Sequence, residues 1–312
     1  MADQEFIGDK PVFSFCKGNS LLMEAVEKGK PFCFGRAGAT EMMVLDNYLR
    51  QRGMGNWDKS LSVDWSSSYI LNVPIGLQAR YMGGLYPPEE NILNRFCDYY
   101  IDCMKEVDLY GTWVNRYAEK EIVCDHYNGP LVEGGCYQSF DNHIHCEEEP
   151  WTMALSGKKI LVAHPFSQSI QNQKSKLQEI WPREQIFPED IEIDTIKIPL
   201  YDYLIEPDHK DWFDALDWMK TEMENKEFDV LFVGAGFWGV PLSVHAKKIG
   251  RIGIHSAGAT QLFFGIRGAR WDDNPRYAAY VNEHWVRPLP EETPDSKFDQ
   301  HKAVFHEGGC YW

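Results

Sequence analysis

Apolar and polar residues alternate in two different patterns along this chain, and these patterns predict its strands and helices. Short apolar runs bounded by glycine or proline are typical of buried strands, and apolar residues three and four positions apart are typical of helices. Strands are predicted within PFCFG, KKILVAHPF, IEIDTIKIPL, FDVLFVGAG and RIGIHSAG, and helices within 39–52, 90–107, 170–181, 210–225 and 240–250. This alternation predicts an α/β fold: a Rossmann-like doubly wound, mostly parallel sheet with helices on both faces.

The pattern also predicts three parts. Residues 1–150 would form an N-terminal α/β part that contains the turn FGRAGATE, with strand-like sequence at 112–123 and loops at 124–150. Residues 151–272 would form the Rossmann-like part, where the alternation is strongest between 157 and 260. Residues 273–312, rich in proline and charge, would form a C-terminal extension that packs on the core.

Three glycine-rich turns follow predicted strands: FGRAGATE, GAGFWG and HSAGATQ. Because the carboxyl ends of parallel strands meet at one edge of a sheet, we expect the turns to converge where open α/β sheets bind ligands. Glycine lets a backbone approach a ligand closely and leaves helix N–H groups free for a phosphate. A tight turn without a ligand is the alternative for each. The glycines concerned are Gly35, Gly38, Gly234, Gly236, Gly239 and Gly258.

The turn at 234–239 has the G-x-G-x-x-G outline of a dinucleotide-binding loop, but the rest of that signature is missing. A dinucleotide fold places an Asp or Glu at the tip of the next strand, about 20 residues on, to hold the ribose. Here that tip is His255-Ser256, and no Asp or Glu occurs from 234 to 271. The same stretch instead carries five basic residues, which we interpret as a basic island for phosphates: Lys247, Lys248, Arg251, Arg267 and Arg270.

Composition narrows the class of protein. The 312 residues are 44% hydrophobic and 25% charged, which is typical of a soluble globular protein. A net charge of −16 argues against nucleic acid as a partner. We expect no transmembrane segment, a cytoplasmic location and reduced thiols at the eight scattered cysteines. Whether the chain forms a homo-oligomer is left open.

Several side chains near the predicted turns suit a phosphorylated ligand. Arg267 and Arg270 could hold a diphosphate as forked donors. Trp271 and the pair Phe237-Trp238 offer ring faces for a base or a sugar, and Gln261 could bind a hydroxyl. Each arginine could equally be an ordinary surface residue.

Three further residues are candidates for proton transfer. His255 and His164 end predicted strands, where a histidine can act as a general base or bind a phosphate. A hydrogen-bonded structural histidine is an equal alternative for both. Glu41 follows a glycine turn and could ligate a cation or hold a sugar hydroxyl, or could simply be a charge at a helix start.

Cysteines and histidines gather within 23 residues, in a spacing that matches no regular zinc finger. A zinc site and a loop lining the ligand are the two alternatives for this cluster. It consists of Cys124, His126, Cys136, His143, His145 and Cys146.

The motifs together resemble a known family. FGRAGATE, GGLYP, PWTMALSGKKILVAHPFSQSI, DVLFVGAGFWGVPLSVHAKKIG, IHSAGATQLFFGIRGARW and GCYW resemble bacterial polysaccharide-biosynthesis proteins of the GT-D fold class of glycosyltransferases. The resemblance runs from about residue 31 to the end. It implies a transferase that uses a UDP- or GDP-linked sugar and a glycan acceptor. Residues 151–272 would then bind the nucleotide sugar, and the loops of the first part would face the acceptor.

The family motif of Arg, any residue, Gly, Asp, any residue, Glu is only partly present. Arg36, Gly38 and Glu41 match it, but Ala39 stands in place of the Asp. The resemblance therefore implies Glu41 as a metal ligand, while the missing carboxylate puts a bound Mn or Mg ion in doubt. Arg267 and Arg270 would then neutralise part of the diphosphate. An NAD(P)-linked sugar oxidoreductase and a non-catalytic glycan- or nucleotide-binding module remain as alternatives.

Overall fold

A computed structural model describes residues 5–54, 65, 74–113, 118–199, 208–293 and 311–312. Nine strands in this part of the chain form one sheet in the order β1-β2-β5-β4-β3-β9-β8-β6-β7. Strand β1 is antiparallel to β2, and every other described pair is parallel. The strands are β1 Phe6–Ile7, β2 Lys10–Phe13, β3 Phe32–Gly35, β4 Leu109–Thr112, β5 Leu131–Glu133, β6 Lys159–His164, β7 Glu192–Lys197, β8 Val230–Val233 and β9 Ile252–His255.

Helices cover both faces of the sheet. They are α1 Phe15–Lys28, α2 Ala39–Gln51, α3 Ile75–Gly83, α4 Glu90–Met104, α5 Glu119–His126, α6 Asn142–His145, α7 Ser167–Gln173, α8 Leu177–Ile180, α9 Trp212–Glu224, α10 Gly239–Lys248, α11 Thr260–Phe263, α12 Ala269–Asp272 and α13 Pro275–Ala278. The predicted α/β class, Rossmann-like and doubly wound, is confirmed.

Alternate strand residues feed two separate apolar layers, as the period of two requires. In β8, Val230 and Phe232 pack in the layer that contains α1, α7 and α11. Leu231 and Val233 pack in the layer that contains α2, α4 and α10. In β9 the neighbours follow the same rule, so Ile254 lies in the first layer and His255 is directed to the second.

The N-terminal part is more regular than its sequence indicates. The strand-like stretch and the loops expected between 112 and 150 contain helix α5, strand β5 and the short helix α6. The expectation is therefore wrong for these three elements, whereas residues 127–130, 134–138 and 146–150 lie in turns and loops as expected, and residues 114–117 lie outside the described residues. The reason is physical: β5 has only three residues and α5 only eight, so each repeats its hydrophobic pattern too few times to stand out from the sequence around it. These elements extend the sheet far beyond the 157–260 stretch, and one continuous sheet runs through both halves of the chain.

Two cysteines are joined in this structure. Cys16, in the first turn of α1, forms a disulfide with Cys146, and their Cα atoms are 5.4 Å apart. The expectation that all cysteines are reduced is wrong for this pair, which the sequence could not show because 130 residues separate them. Helices long and apolar enough to cross a bilayer are absent from the described residues.

Candidate functional site

The three glycine turns converge as predicted. Strands β3, β9 and β8 are adjacent and parallel, so the turns that follow them share the carboxyl edge of the sheet. The turns also touch: a Cβ atom on Gly234 would lie 2.4 Å from Thr260 Oγ1, in the segment after β9. The neighbouring strands β6 and β8 are connected in opposite directions: β6 is followed by β7 on one side, and β8 is followed by β9 on the other. Ligand sites of open α/β sheets lie at such switch points.

The glycines of GAGFWG serve packing inside the protein. Gly236 has a φ of +41° and lies against Gly83, with only 3.0 Å from the ideal Cβ position to the Gly83 Cα. A Cβ on Gly239 would come within 2.1 Å of His255 Nε2. Together with the contact between Gly234 and Thr260, these approaches account for all three glycines. The expectation that they open the backbone to a ligand is wrong for this turn.

The aromatic pair in the same turn is part of the core. Phe237 and Trp238 are fully buried. The Phe237 ring stacks on Phe96 at 4.6 Å, and Trp238 packs against Trp212 at 5.5 Å between centroids. Neither ring face is available to a base or a sugar, so that expectation is also wrong.

His255 is a buried, neutral side chain. It is 1% exposed, and neither ring nitrogen has a hydrogen-bond partner of ordinary geometry among the described residues. Burial, followed by the charge of Arg36, lowers the pKa of His255 to about 3. A base of this strength accepts protons poorly at neutral pH, and its ring is enclosed against Gly239.

His164 has a structural partner. Its Nδ1 accepts a hydrogen bond of 3.0 Å from the backbone N–H of Phe166. Burial lowers its pKa to about 3, so the imidazole is neutral. This contact fixes the turn after β6, which corresponds to the structural alternative stated for this residue.

Glu41 folds back onto the start of its own helix. Gly38 is the N-cap of α2, and a Cβ on Gly38 would lie 2.3 Å from Glu41 Oε2. A glutamate in the first helical turn can in this way accept the N-cap amide. Burial raises the pKa of Glu41 to about 7, although the backbone amides of Glu41 and Gly38 and the charge of Arg36 act to lower it. The carboxyl group is therefore poised between its two protonation states near neutral pH.

Arg36 is a cation without an acidic partner. It follows β3 directly, and no carboxylate among the described residues lies within salt-bridge distance of its guanidinium. The guanidinium carbon lies 3.9 Å from the centre of the Trp113 ring, and Nη1 donates to the Tyr137 hydroxyl at 3.3 Å. Its Nε is buried and has no acceptor in the same part of the chain. Such a group at the carboxyl edge is suited to an anion.

Trp113 and Tyr137 were missed by sequence reasoning, together with Glu119, which holds the backbone of Trp113. Glu119 is fully buried and accepts hydrogen bonds from the Trp113 backbone at 2.8 Å and from the Tyr110 hydroxyl at 3.1 Å. Trp113 in turn donates from its indole N–H to the carbonyl of Ala37 at 2.7 Å. Only the fold brings these residues to Arg36, which Tyr137 follows by 101 positions.

The basic island is divided between the two edges of the sheet. Lys247 binds Asp108 at 2.9 Å, just before β4, and the carbonyl of Arg251 accepts the amide of Phe32, at the start of β3. Lys248 is exposed at the same end of α10. These three basic residues lie at the amino edge, far from the turns, because α10 runs back antiparallel to the strands. The expectation of one island of five is wrong.

The remaining predicted ligands lie at the carboxyl edge but contact other residues of the chain. Arg267 Nη2 lies 3.1 Å from Asp272, and Arg270 Nη1 donates to the Tyr311 hydroxyl at 3.0 Å. Gly258 lies beneath Tyr311, whose ring is 2.5 Å from the ideal Cβ position. Gln261 is fully buried and donates to the carbonyls of Ile266 and Tyr311, both at 3.1 Å.

Tyr277 is a half-buried residue beside Trp271. Burial raises its pKa, and the charges of Asp141 and Arg276, the hydroxyl of Tyr137 and the charge of Arg270 also act on it. Trp271 packs against Tyr277, with ring centroids 6.4 Å apart. Trp271 and Tyr277 thus pack together at this edge of the sheet.

The cysteine and histidine cluster does not assemble into a metal site. Cys136 is buried under Gly18, Cys124 contacts the carbonyl of Ile7, and the His145 ring stacks on Phe15 at 4.3 Å. Within the described ranges, the one group with metal-ligand spacing is Cys16, Cys146 and Glu148, in which the two sulfurs already form the disulfide.

Comparison with known proteins adds no name to this site. No family model, no curated protein and no solved structure matches the chain.

Proposed function

We propose that this protein is a glycosyltransferase that moves a sugar from a nucleotide diphosphate to a glycan acceptor. The acceptor hydroxyl would lose its proton to a base and attack the anomeric carbon, while the bond from that carbon to the diphosphate breaks. The nucleoside diphosphate would then leave with its negative charge neutralised. The site must therefore supply cations for the diphosphate and a group that accepts a proton.

The observation that carries this proposal is the environment of Arg36. Its guanidinium has no carboxylate partner among the described residues, and it is held rigidly by Trp113 and Tyr137. It follows β3 at the carboxyl edge of the sheet, beside the turn that follows β9. Forked donors of this kind are well suited to phosphate oxygens. Arg270 extends the positive surface along the same edge.

Among the three candidate bases, we favour Glu41. Efficient proton transfer requires a pKa near the working pH, and Glu41 has a pKa of about 7. Both histidines have pKa values of about 3 and are enclosed. Glu41 is only 3% exposed, so access by the acceptor requires the N-terminal turn of α2 to open.

A divalent cation does not fit the residues around Glu41. Ala39 removes the second carboxylate of the motif, and the Glu41 carboxylate is directed at the amide of Gly38. Among the described residues Glu41 belongs to no group of three or more acidic, cysteine or histidine side chains at metal-ligand spacing. Mg²⁺ and Mn²⁺ require several oxygen ligands. We therefore propose that arginines, rather than a metal, neutralise the donor diphosphate.

Thermal denaturation with UDP, GDP, NAD and NADP tests the substrate class. A ligand that binds the native state raises the melting temperature as its concentration increases. We expect UDP or GDP to do so and NAD and NADP to have no effect. Stabilisation by NAD or NADP alone would favour the oxidoreductase.

Turnover is tested with the matching nucleotide sugars. We expect slow hydrolysis without acceptor, and this hydrolysis should persist in excess chelator. Complete loss of activity in chelator would contradict charge neutralisation by arginines. Nucleotide binding without any hydrolysis or transfer would favour a binding module.

A further inference from the structure

A separate cavity lies beside the carboxyl edge, between the segment after α11 and the C-terminal extension. Its volume is about 210 Å³, and its walls include Trp271, Tyr277 and Trp285. Sites for drug-sized ligands are typically ~300–1,000 Å³, so this one has room for a single ring. Arg267 and Asp272 provide its polar groups.

The walls suit a puckered ring better than a flat one. The Trp271 and Tyr277 rings meet at 73°, with centroids 6.4 Å apart. A nucleobase is best held between two parallel faces, whereas a pyranose presents C–H groups to one ring and its edge to another. Aromatic side chains with convergent polar groups are well suited to such an amphipathic ligand.

Charge at the cavity favours an acidic sugar. A single carboxylate, Asp272, lies between two guanidinium groups, those of Arg267 and Arg287. Hydrogen bonds from both arginines hold its pKa below the usual range, although its partial burial acts in the opposite direction. One positive charge is therefore in excess. The Nε of Arg267 is also buried and lacks an acceptor among the described residues.

We propose that this cavity binds one pyranose ring that carries a carboxylate, as in a uronic acid. Arg267 binds the carboxylate, Trp271 and Tyr277 contact the ring, and Asp272 accepts hydrogen bonds from its hydroxyls. The assignment of this ring to the acceptor glycan rests on the proposed transferase function, whereas the binding itself does not.

Direct binding to the full chain tests the proposal. Saturation-transfer NMR and titration calorimetry would compare glucuronate with glucose. We expect glucuronate to bind at least tenfold more tightly. Trp271→Ala should weaken glucuronate binding tenfold or more, and Trp218→Ala is the matched control because Trp218 is 39% exposed on α9.

A second variant covers the case in which Trp271→Ala fails to fold. Arg267→Gln leaves Asp272 paired with Arg287 and should reduce the affinity for glucuronate to that for glucose. Absence of glucuronate binding, or equal affinity in wild type and Arg267→Gln, would overturn the proposal. UDP binding measured on the same samples separates the two claims. Glucuronate binding without UDP binding would support the proposed sugar site and contradict the transferase function. UDP binding without glucuronate binding would contradict the sugar site and leave the transferase proposal standing.

Discussion

The hydroxyl of Tyr311 accepts a hydrogen bond from Arg270 Nη1 at 3.0 Å, while the same ring covers Gly258. The backbone carbonyl of Tyr311 also accepts a hydrogen bond from Gln261. One aromatic residue thus contacts three of the residues predicted to bind the donor. In the proposed function, a diphosphate at Arg270 would replace the Tyr311 hydroxyl as its partner.

Tyr311→Phe tests this competition. The variant keeps the ring over Gly258 but releases Arg270 from this one hydrogen bond. A hydrogen bond contributes about 1 kcal/mol, so UDP affinity should rise by roughly three- to tenfold, as measured by calorimetry. Tyr48→Phe is the matched control, since the Tyr48 hydroxyl binds Asp98 on α4. Unchanged UDP affinity in Tyr311→Phe would show that Arg270 does not bind the donor diphosphate.

Arg36→Met should weaken UDP binding about 10- to 100-fold, because a hydrogen bond to a charged group contributes about 1.5–3 kcal/mol. The UDP affinity of Arg36→Lys should lie between that of Arg36→Met and that of wild type. An ammonium keeps the charge but not the planar fork that stacks on Trp113. Calorimetric titration of UDP provides the measurement.

The control for Arg36 is Arg251→Met, which also removes one positive charge. Its backbone carbonyl bonds to the first residue of β3, at the opposite edge of the sheet. We expect UDP affinity in Arg251→Met to match wild type. Equal losses in both variants would indicate an effect of net charge alone and would contradict a specific role for Arg36.

Gly239→Ala should destabilise the protein in the absence of any ligand. The new methyl group would lie 2.1 Å from His255 Nε2, and overpacking in a closed core costs about 1–3 kcal/mol. Urea unfolding followed by circular dichroism measures the loss. At Gly135 the nearest atom to an added Cβ is 3.8 Å away, so Gly135→Ala should stay within about 0.5 kcal/mol of wild type.

The double variant Gly239→Ala with His255→Ala completes this test. If the imidazole is what Gly239 accommodates, the double variant should be more stable than the sum of the two single changes predicts. Strict additivity, or a Gly239→Ala protein as stable as wild type, would show that this glycine does not serve packing.

The sequence predicted the convergent turns for a simple geometric reason. β8 is a continuous apolar run followed directly by Gly234, and β9 is a short strand that ends at His255, three residues before Gly258. In a parallel sheet the turns after both strands must emerge at one edge. The same geometry places the end of α10 at the opposite edge, so the position of Lys247 was already implied by the strand-helix-strand pattern. The prediction of one basic island was wrong because residues close together along the chain lie at opposite edges of the sheet. Lys247, Lys248 and Arg251 lie at the amino edge, whereas Arg267 and Arg270 lie at the carboxyl edge.

Other parts of the site depend on contacts that no local pattern contains. Tyr137 reaches Arg36, 101 positions before it, because β5 and β4 lie beside β3 in the same sheet. The pKa of Glu41 likewise depends on burial beneath elements remote in sequence. Strand and helix periods predict which edge holds a site, whereas long-range packing decides which side chains remain available there.

The stability of Glu41→Gln relative to wild type should depend on pH. Because burial raises the folded pKa of Glu41 to about 7, the folded protein retains a proton that the unfolded chain loses near its ordinary value of 4.5. The contribution of Glu41 to the stability of the wild-type protein is therefore highest below pH 4.5. It falls as the pH rises to about 7 and is constant at higher pH. Glutamine stays neutral throughout. The free energy of unfolding of Glu41→Gln should therefore rise relative to that of wild type by up to about 3 kcal/mol between pH 4.5 and pH 8. Urea unfolding of both proteins across this range gives the difference. A difference that does not change with pH would show that Glu41 keeps an ordinary pKa and is not poised to accept a proton near neutral pH.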